Sequence, residues 1–72
     1  MIKVLAEMPA NVWRVLVEVG QSVTDGQDLF MLESMKMEIP VPSPCNGVVA
    51  HLHVAENDSL QEGQLLAEVR PA

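Results

Sequence analysis

Apolar and polar positions along this chain alternate in short runs. Val15, Val17 and Val19 alternate with Arg14, Leu16 and Glu18, and Leu52 and Val54 alternate with His51 and His53. Period-2 alternation marks half-buried strands, and no stretch sustains the 3.6 period of a helix. The runs are broken by Gly20-Gln21-Ser22 with Asp25-Gly26, and again by Asn57-Asp58-Ser59 with Glu62-Gly63, residues that form turns. The pattern predicts an all-β fold with about three or four short strands in each half. Two small antiparallel sheets would pack face to face or close into a flattened barrel.

The turns recur because the sequence repeats. A shift of 37 aligns residues 2–33 with 39–70, and eight of the 32 pairs are identical: Ile2/Ile39, Val4/Val41, Val12/Val49, Val17/Val54, Ser22/Ser59, Gly26/Gly63, Gln27/Gln64 and Leu29/Leu66. Average residue usage gives roughly two by chance. Gly20 aligns with Asn57, and both residue types tolerate positive φ. The expectation is one domain spanning 1–72, built from two half-repeats with quasi-two-fold symmetry.

Pro40, Pro42 and Pro44 refine the strand assignment. Alternate residues of a strand present their N–H groups to the same side, so these prolines remove donors from one edge only. Ile39, Val41 and Ser43 can still pair on the other. Such a segment belongs at a sheet edge, where proline also blunts aggregation.

Residues 34–38, Ser34-Met35-Lys36-Met37-Glu38, lie outside both half-repeats and join them. Under a two-fold, the termini occupy the place equivalent to this junction. The junction therefore stands at one end of the domain and the termini at the other. Strands flank it closely, Leu29 to Glu33 and Glu38 to Val41, which makes it a tight hairpin. Two-residue hairpins favour Asn-Gly or Gly-Gly because their turns need positive φ. Met and Lys hold this turn despite a backbone cost of about 1–3 kcal/mol per strained residue. A broken local rule at a protruding tip points to function. Lys36 is one of two lysines, the other being Lys3. Two thioethers flanking one amine make an adaptable apolar contact surface. The plainer reading is a solvated turn lysine between two core methionines.

Composition narrows the chemistry. The chain has 72 residues, 49% of them apolar, with one Trp, one Phe and no Tyr. A domain this short buries only about 60% of its unfolded surface. A single cysteine, Cys45, allows no internal disulfide, and no Cys/His set has zinc spacing. The core must be regular and built from Val, Leu, Ile, Met and Ala. A net charge of −6 disfavours nucleic acid and anionic membranes. No segment reaches the ~18 apolar residues of a membrane span. The N-terminus lacks a signal-like run, and a lone thiol suits a reducing compartment. The expected location is the cytoplasm.

Glu33-Ser34-Met35-Lys36-Met37 resembles the attachment motif of the biotinyl/lipoyl domain family, in which the central lysine receives biotin. The resemblance extends over essentially the whole chain. Met8-Pro9-Ala10-Asn11-Val12 is similar to the first-strand signature. Val23 through Leu29 resembles a Val-x-x-Gly-x-x-Leu turn, Leu60 through Leu66 repeats it, and Asn46-Gly47-Val48-Val49 resembles the start of a second half. Ala10 and Asn57 stand where the family usually has glycine.

The resemblance implies a flattened barrel, a barrel-sandwich hybrid, with the modified lysine on an exposed hairpin. It implies a covalent biotin on Lys36, attached by a biotin protein ligase from biotinyl-AMP. Glu33, Ser34, Met35, Met37 and Glu38 would be recognised by the ligase and by partner enzymes. A biotin carboxylase would load CO2 onto the biotin ring, and a carboxyltransferase would pass it to acetyl-CoA, another acyl-CoA or a urea-type acceptor. With acetyl-CoA the setting would be fatty acid biosynthesis. The chain would supply a nucleophile and a tether but no catalytic group. It resembles short, stand-alone attachment proteins, without the thumb that some acetyl-CoA carboxylase carriers insert.

Other readings stay open. A lipoyl carrier of a 2-oxo acid dehydrogenase type complex shares the fold, but its motif typically reads Asp-Lys-Ala. An unmodified β interaction module predicts a bare Lys36. A free-standing enzyme lacks support, since no Ser/His/Asp set or phosphate loop is present. Cys45 sits in a Pro-Cys-Asn turn without a basic neighbour to activate it. His51 and His53 could share a strand face and bind a metal, although such pairs are more often simply solvated.

Overall fold

The computed structural model describes all 72 residues and contains eight strands: β1 (Ile2–Leu5), β2 (Ala10–Val15), β3 (Ser22–Val23), β4 (Asp28–Ser34), β5 (Met37–Pro42), β6 (Gly47–Leu52), β7 (Ser59–Leu60) and β8 (Leu65–Pro71). They form two four-stranded antiparallel sheets, ordered β1-β8-β6-β3 and β5-β4-β2-β7. The fold is the expected all-β sandwich, elongated to 35 × 17 × 17 Å.

The pairings recur under the shift of 37. Leu32 opposes Ile39 as Val69 opposes Ile2, and Phe30 opposes Val41 as Ala67 opposes Val4. Val12 opposes Leu32 as Val49 opposes Val69, and each ladder carries its bulge one step further on, between Val12 and Arg14 or between Val49 and His51. The turns correspond too. Gly20 and Asn57 have φ of 91° and 77°, and Gly26 and Gly63 have φ of 85° and 83°.

The sheets are not the halves. β1 and β3 from the first half join β6 and β8 from the second, while β2 and β4 join β5 and β7. Neither half closes a sheet by itself. Its core face is covered only when the other half interleaves with it.

The core holds Val4, Val12, Val23, Leu29, Phe30, Leu32, Val49, Leu60, Leu66, Ala67 and Val69, with Ala6 and Val17. Equivalent positions compensate in volume: Phe30 and Ala67 are both fully buried, so a large residue in one half answers a small one in the other. Ala6 and Ser43 are equivalent and buried. Ser43 satisfies its hydroxyl by donating to the Cys45 carbonyl at 2.7 Å.

Three local expectations are corrected. The strand predicted through Val15, Val17 and Val19 ends at Val15. Val17 still turns inward and is buried, whereas Val19 lies in the following turn and is exposed. His53 lies just past β6, which ends at Leu52, so the two histidines do not share one strand. β5 is an edge strand, as its prolines require, but it stops at Pro42 and leaves Pro44 in the next turn. There the chain bends inward so that the Ser43 N–H can donate to the Gln27 carbonyl at 2.7 Å.

Candidate functional site

β4 and β5 are joined by two residues only. Ser34 opposes Met37, and Met35 and Lys36 make the turn with φ of 52° and 66°. Positive φ at both central positions is the signature of a type I′ two-residue hairpin. No glycine, asparagine or aspartate supplies it here. The turn is held by its flanks: the β4–β5 ladder runs from Asp28↔Pro42 to Ser34↔Met37.

Lys36 is exposed at the tip. Met35 is 92% exposed and Met37 64%, so neither methionine belongs to the core. The molecule's single close acid–base pair joins His53 Nε2 and Glu68 Oε2 at 3.3 Å, which leaves the Lys36 ammonium unpaired. An unencumbered primary amine on a stiff base, flanked by flexible apolar side chains, suits acylation by an enzyme that must surround it.

The neighbouring residues are ordered across the sheet. Ser59, Asn11, Glu33 and Glu38 stand opposite one another on β7, β2, β4 and β5. Glu33 faces Glu38 directly, an unfavourable like-charge pairing at the base of the hairpin. Ser34 is half-buried and its hydroxyl donates to the Pro9 carbonyl at 3.2 Å. Of the residues singled out in the sequence, Glu33, Ser34, Met35, Lys36, Met37 and Glu38 therefore form one contiguous tip. Asn11 stands opposite Glu33 at the edge of this tip, and Ser59 Oγ donates to Asn11 Oδ1 at 3.0 Å. Sequence reasoning passed these two over as site residues. The available signal was the repeat, which makes β7 a short strand equivalent to β3.

The remaining candidates lie elsewhere. Cys45 is half-buried and packs against the core. His51 and His53 are exposed with ring centroids 6.0 Å apart, and no group of three or more His, Cys, Asp or Glu side chains is arranged to hold a metal.

Two interleaved antiparallel sheets with an exposed lysine on a two-residue hairpin define an all-β domain that presents one unpaired amine at its tip. Comparison with known proteins names the group. The family described as "Biotin-requiring enzyme", of biotin/lipoyl domains, matches residues 1–69. The chain belongs to this family, whose cofactor is biotin. It is 40% identical over 63 residues to the Biotin/lipoyl attachment protein of Bacillus subtilis (strain 168), spanning 88% of this chain and 86% of that protein. It is 42% identical over 66 residues to the Biotinylated protein TB7.3 homolog of Mycobacterium leprae (strain TN), spanning 92% and 93%. Among solved structures it superposes on the Kluyveromyces lactis urea carboxylase with a TM-score of 0.90 at 25% identity, spanning 96% of this chain and 6% of that one.

Proposed function

We propose that this chain is a biotin carboxyl carrier whose attachment residue is Lys36, loaded by a biotin protein ligase and shuttling between a biotin carboxylase and a carboxyltransferase. The observation that carries the reading is the hairpin tip. An unpaired lysine occupies a left-handed turn position that a glycine or asparagine would hold more cheaply. The sequence accepts strain there to place an amine, and the relatives that span almost the whole chain have names that refer to biotin attachment.

Each residue of the tip has a part. Lys36 Nζ is the nucleophile: it attacks the acyl carbon of biotinyl-AMP, an amide bond forms, the acyl–phosphate bond breaks, and AMP and a proton leave. Met35 and Met37 are the adaptable contacts that different partner enzymes grip in turn. Glu33 and Glu38 give the base of the hairpin a negative rim that a basic partner surface reads. Once bound, biotin supplies the ureido nitrogen that carries CO2. The rest of the domain keeps the tether's root rigid, so that each transfer is effectively intramolecular at roughly millimolar concentration.

The acceptor is proposed to be an acyl-CoA, acetyl-CoA first among them, in the cytoplasm. Intact-mass analysis of the chain purified from its host, with peptide mapping, tests the attachment. Biotin on Lys36 is expected, and Lys36→Arg should abolish it while leaving the fold intact. A lipoyl adduct, or an unmodified chain in the presence of active ligase, overturns the reading. Carboxylase and carboxyltransferase subunits that co-purify with the tagged chain would identify the acceptor.

A further inference from the structure

The two ends of the molecule correspond under the shift of 37, yet only the hairpin end carries a depression. At the end with the termini, Gly47 opposes Pro71 and the Ala72 N–H donates to the Asn46 carbonyl at 2.9 Å. β6 and β8 thus stay joined to the end of the chain. They can do so because position 47 has no Cβ, which would collide with the Arg70 carbonyl.

At the hairpin end Ala10 stands where Gly47 stands. The β2–β4 ladder stops one pair earlier, at Asn11↔Glu33, and the Pro9 carbonyl, the counterpart of Asn46, receives the Ser34 hydroxyl. The parted strands border a shallow, open depression lined by Ala10, Asn11, Glu33, Met35, Ser59 and Leu60 among others.

We propose that this depression is a resting site for the ureido ring system of the biotin carried on Lys36; the proposal rests on Lys36 being the attachment residue. Lys36 directly follows Met35 on the rim, so a long flexible arm needs only to fold back. Ala10 and Met35 offer apolar contact to the thioether ring. Ser59 Oγ donates to Asn11 Oδ1 at 3.0 Å, which fixes the amide and leaves its Nδ2–H groups free to donate to the ureido carbonyl. The Glu33 carboxylate accepts from a ureido N–H. The opposite end has Val48 and Arg70 in place of Asn11 and Glu33, so it lacks this donor–acceptor set as well as the depression. Docking holds the reactive ring against the carrier between visits to partner enzymes.

The test compares ¹⁵N-labelled chain before and after biotinylation by a co-expressed ligase, with intact mass verifying the adduct. Amide shifts are expected at Ala10, Ser59, Leu60 and the Asn11 side chain, in addition to residues 34–38. Asn11→Ala should lower the ratio of docked to free arm by about two- to tenfold, the worth of one neutral hydrogen bond. Shifts at Ser59 and Leu60 would shrink, and streptavidin capture would accelerate in proportion to the rise in the free fraction, by up to that factor where the docked arm predominates. Shifts confined to residues 34–38 in the biotinylated chain overturn the docking site and leave the attachment reading standing. A capture rate unchanged by Asn11→Ala overturns the role of Asn11. A chain that gains no biotin mass overturns the attachment reading itself, and the docking site with it.

Discussion

The hairpin end and the terminal end of this domain are built from the same ladder. β4 and β5 run together at one, β8 and β1 at the other, with the same register and bulges. At the terminal end a glycine lets the strands close. At the hairpin end the chain turns back through two residues with φ of 52° and 66°, presents an exposed lysine, sets Glu33 against Glu38, and opens a depression beside Ala10. The scaffold is common to both ends, whereas the departures from economy gather at one. Local strain, like-charge pairing and incomplete strand closure each act against stability, and their coincidence at Lys36 marks where the molecule has been shaped by something other than folding.

That comparison can be broken most forcefully at the two equivalent positions 10 and 47. Gly47→Ala should cost about 1–3 kcal/mol, because the new methyl must push β6 from the Arg70 carbonyl. Ala10→Gly, at the end already parted, should change stability by less than about 1 kcal/mol. Urea titration of both variants measures the difference, and equal losses would mean that the two ends are packed alike.

A smaller effect is expected at the turn. Met35→Gly removes a left-handed penalty of about 1–2 kcal/mol and adds a glycine entropy of roughly 0.5–1 kcal/mol. The net should be a gain of up to about 1.5 kcal/mol, seen as a raised Tm, and, with Lys36 as the proposed attachment residue, slower loading by the ligase. Asn57→Gly, at the one non-glycine residue with positive φ outside the hairpin, should gain less, since asparagine already tolerates that region. A Tm lowered by Met35→Gly would show that Met35 stabilises the turn by packing.

The smallest expected change is electrostatic. Glu38→Gln relieves the opposition to Glu33 and should stabilise the domain by a few tenths of a kcal/mol, more at low salt than at high salt. Loss of stability on this substitution would mean that the carboxylate is held by a favourable partner.

Much of this molecule was legible in the chain. Alternating Val and Leu positions gave the strands, paired Gly and Asn positions gave the turns, and Pro40 with Pro42 gave an edge. Met35-Lys36 between two strand-forming runs gave a hairpin that had to take positive φ against preference. These are local properties, decided by sterics within a few residues. The errors were local as well. Val17 continues the apolar alternation, but β2 ends at Val15 before the turn that begins beyond Val17. Pro44 continues the spacing of two, but Ser43 bends inward to pair with Gln27.

What the sequence by itself determined is a two-fold β domain with one exposed lysine at the junction of its halves, because side-chain period, proline and turn chemistry act over a few residues. The tertiary structure alone decided that the halves interleave, each lending two strands to the other's sheet, because an open half cannot cover its own apolar face. It also decided that Ala10 parts the strands where Gly47 joins them, since a methyl group matters only once a carbonyl from a distant strand, at Arg70, arrives where it would stand.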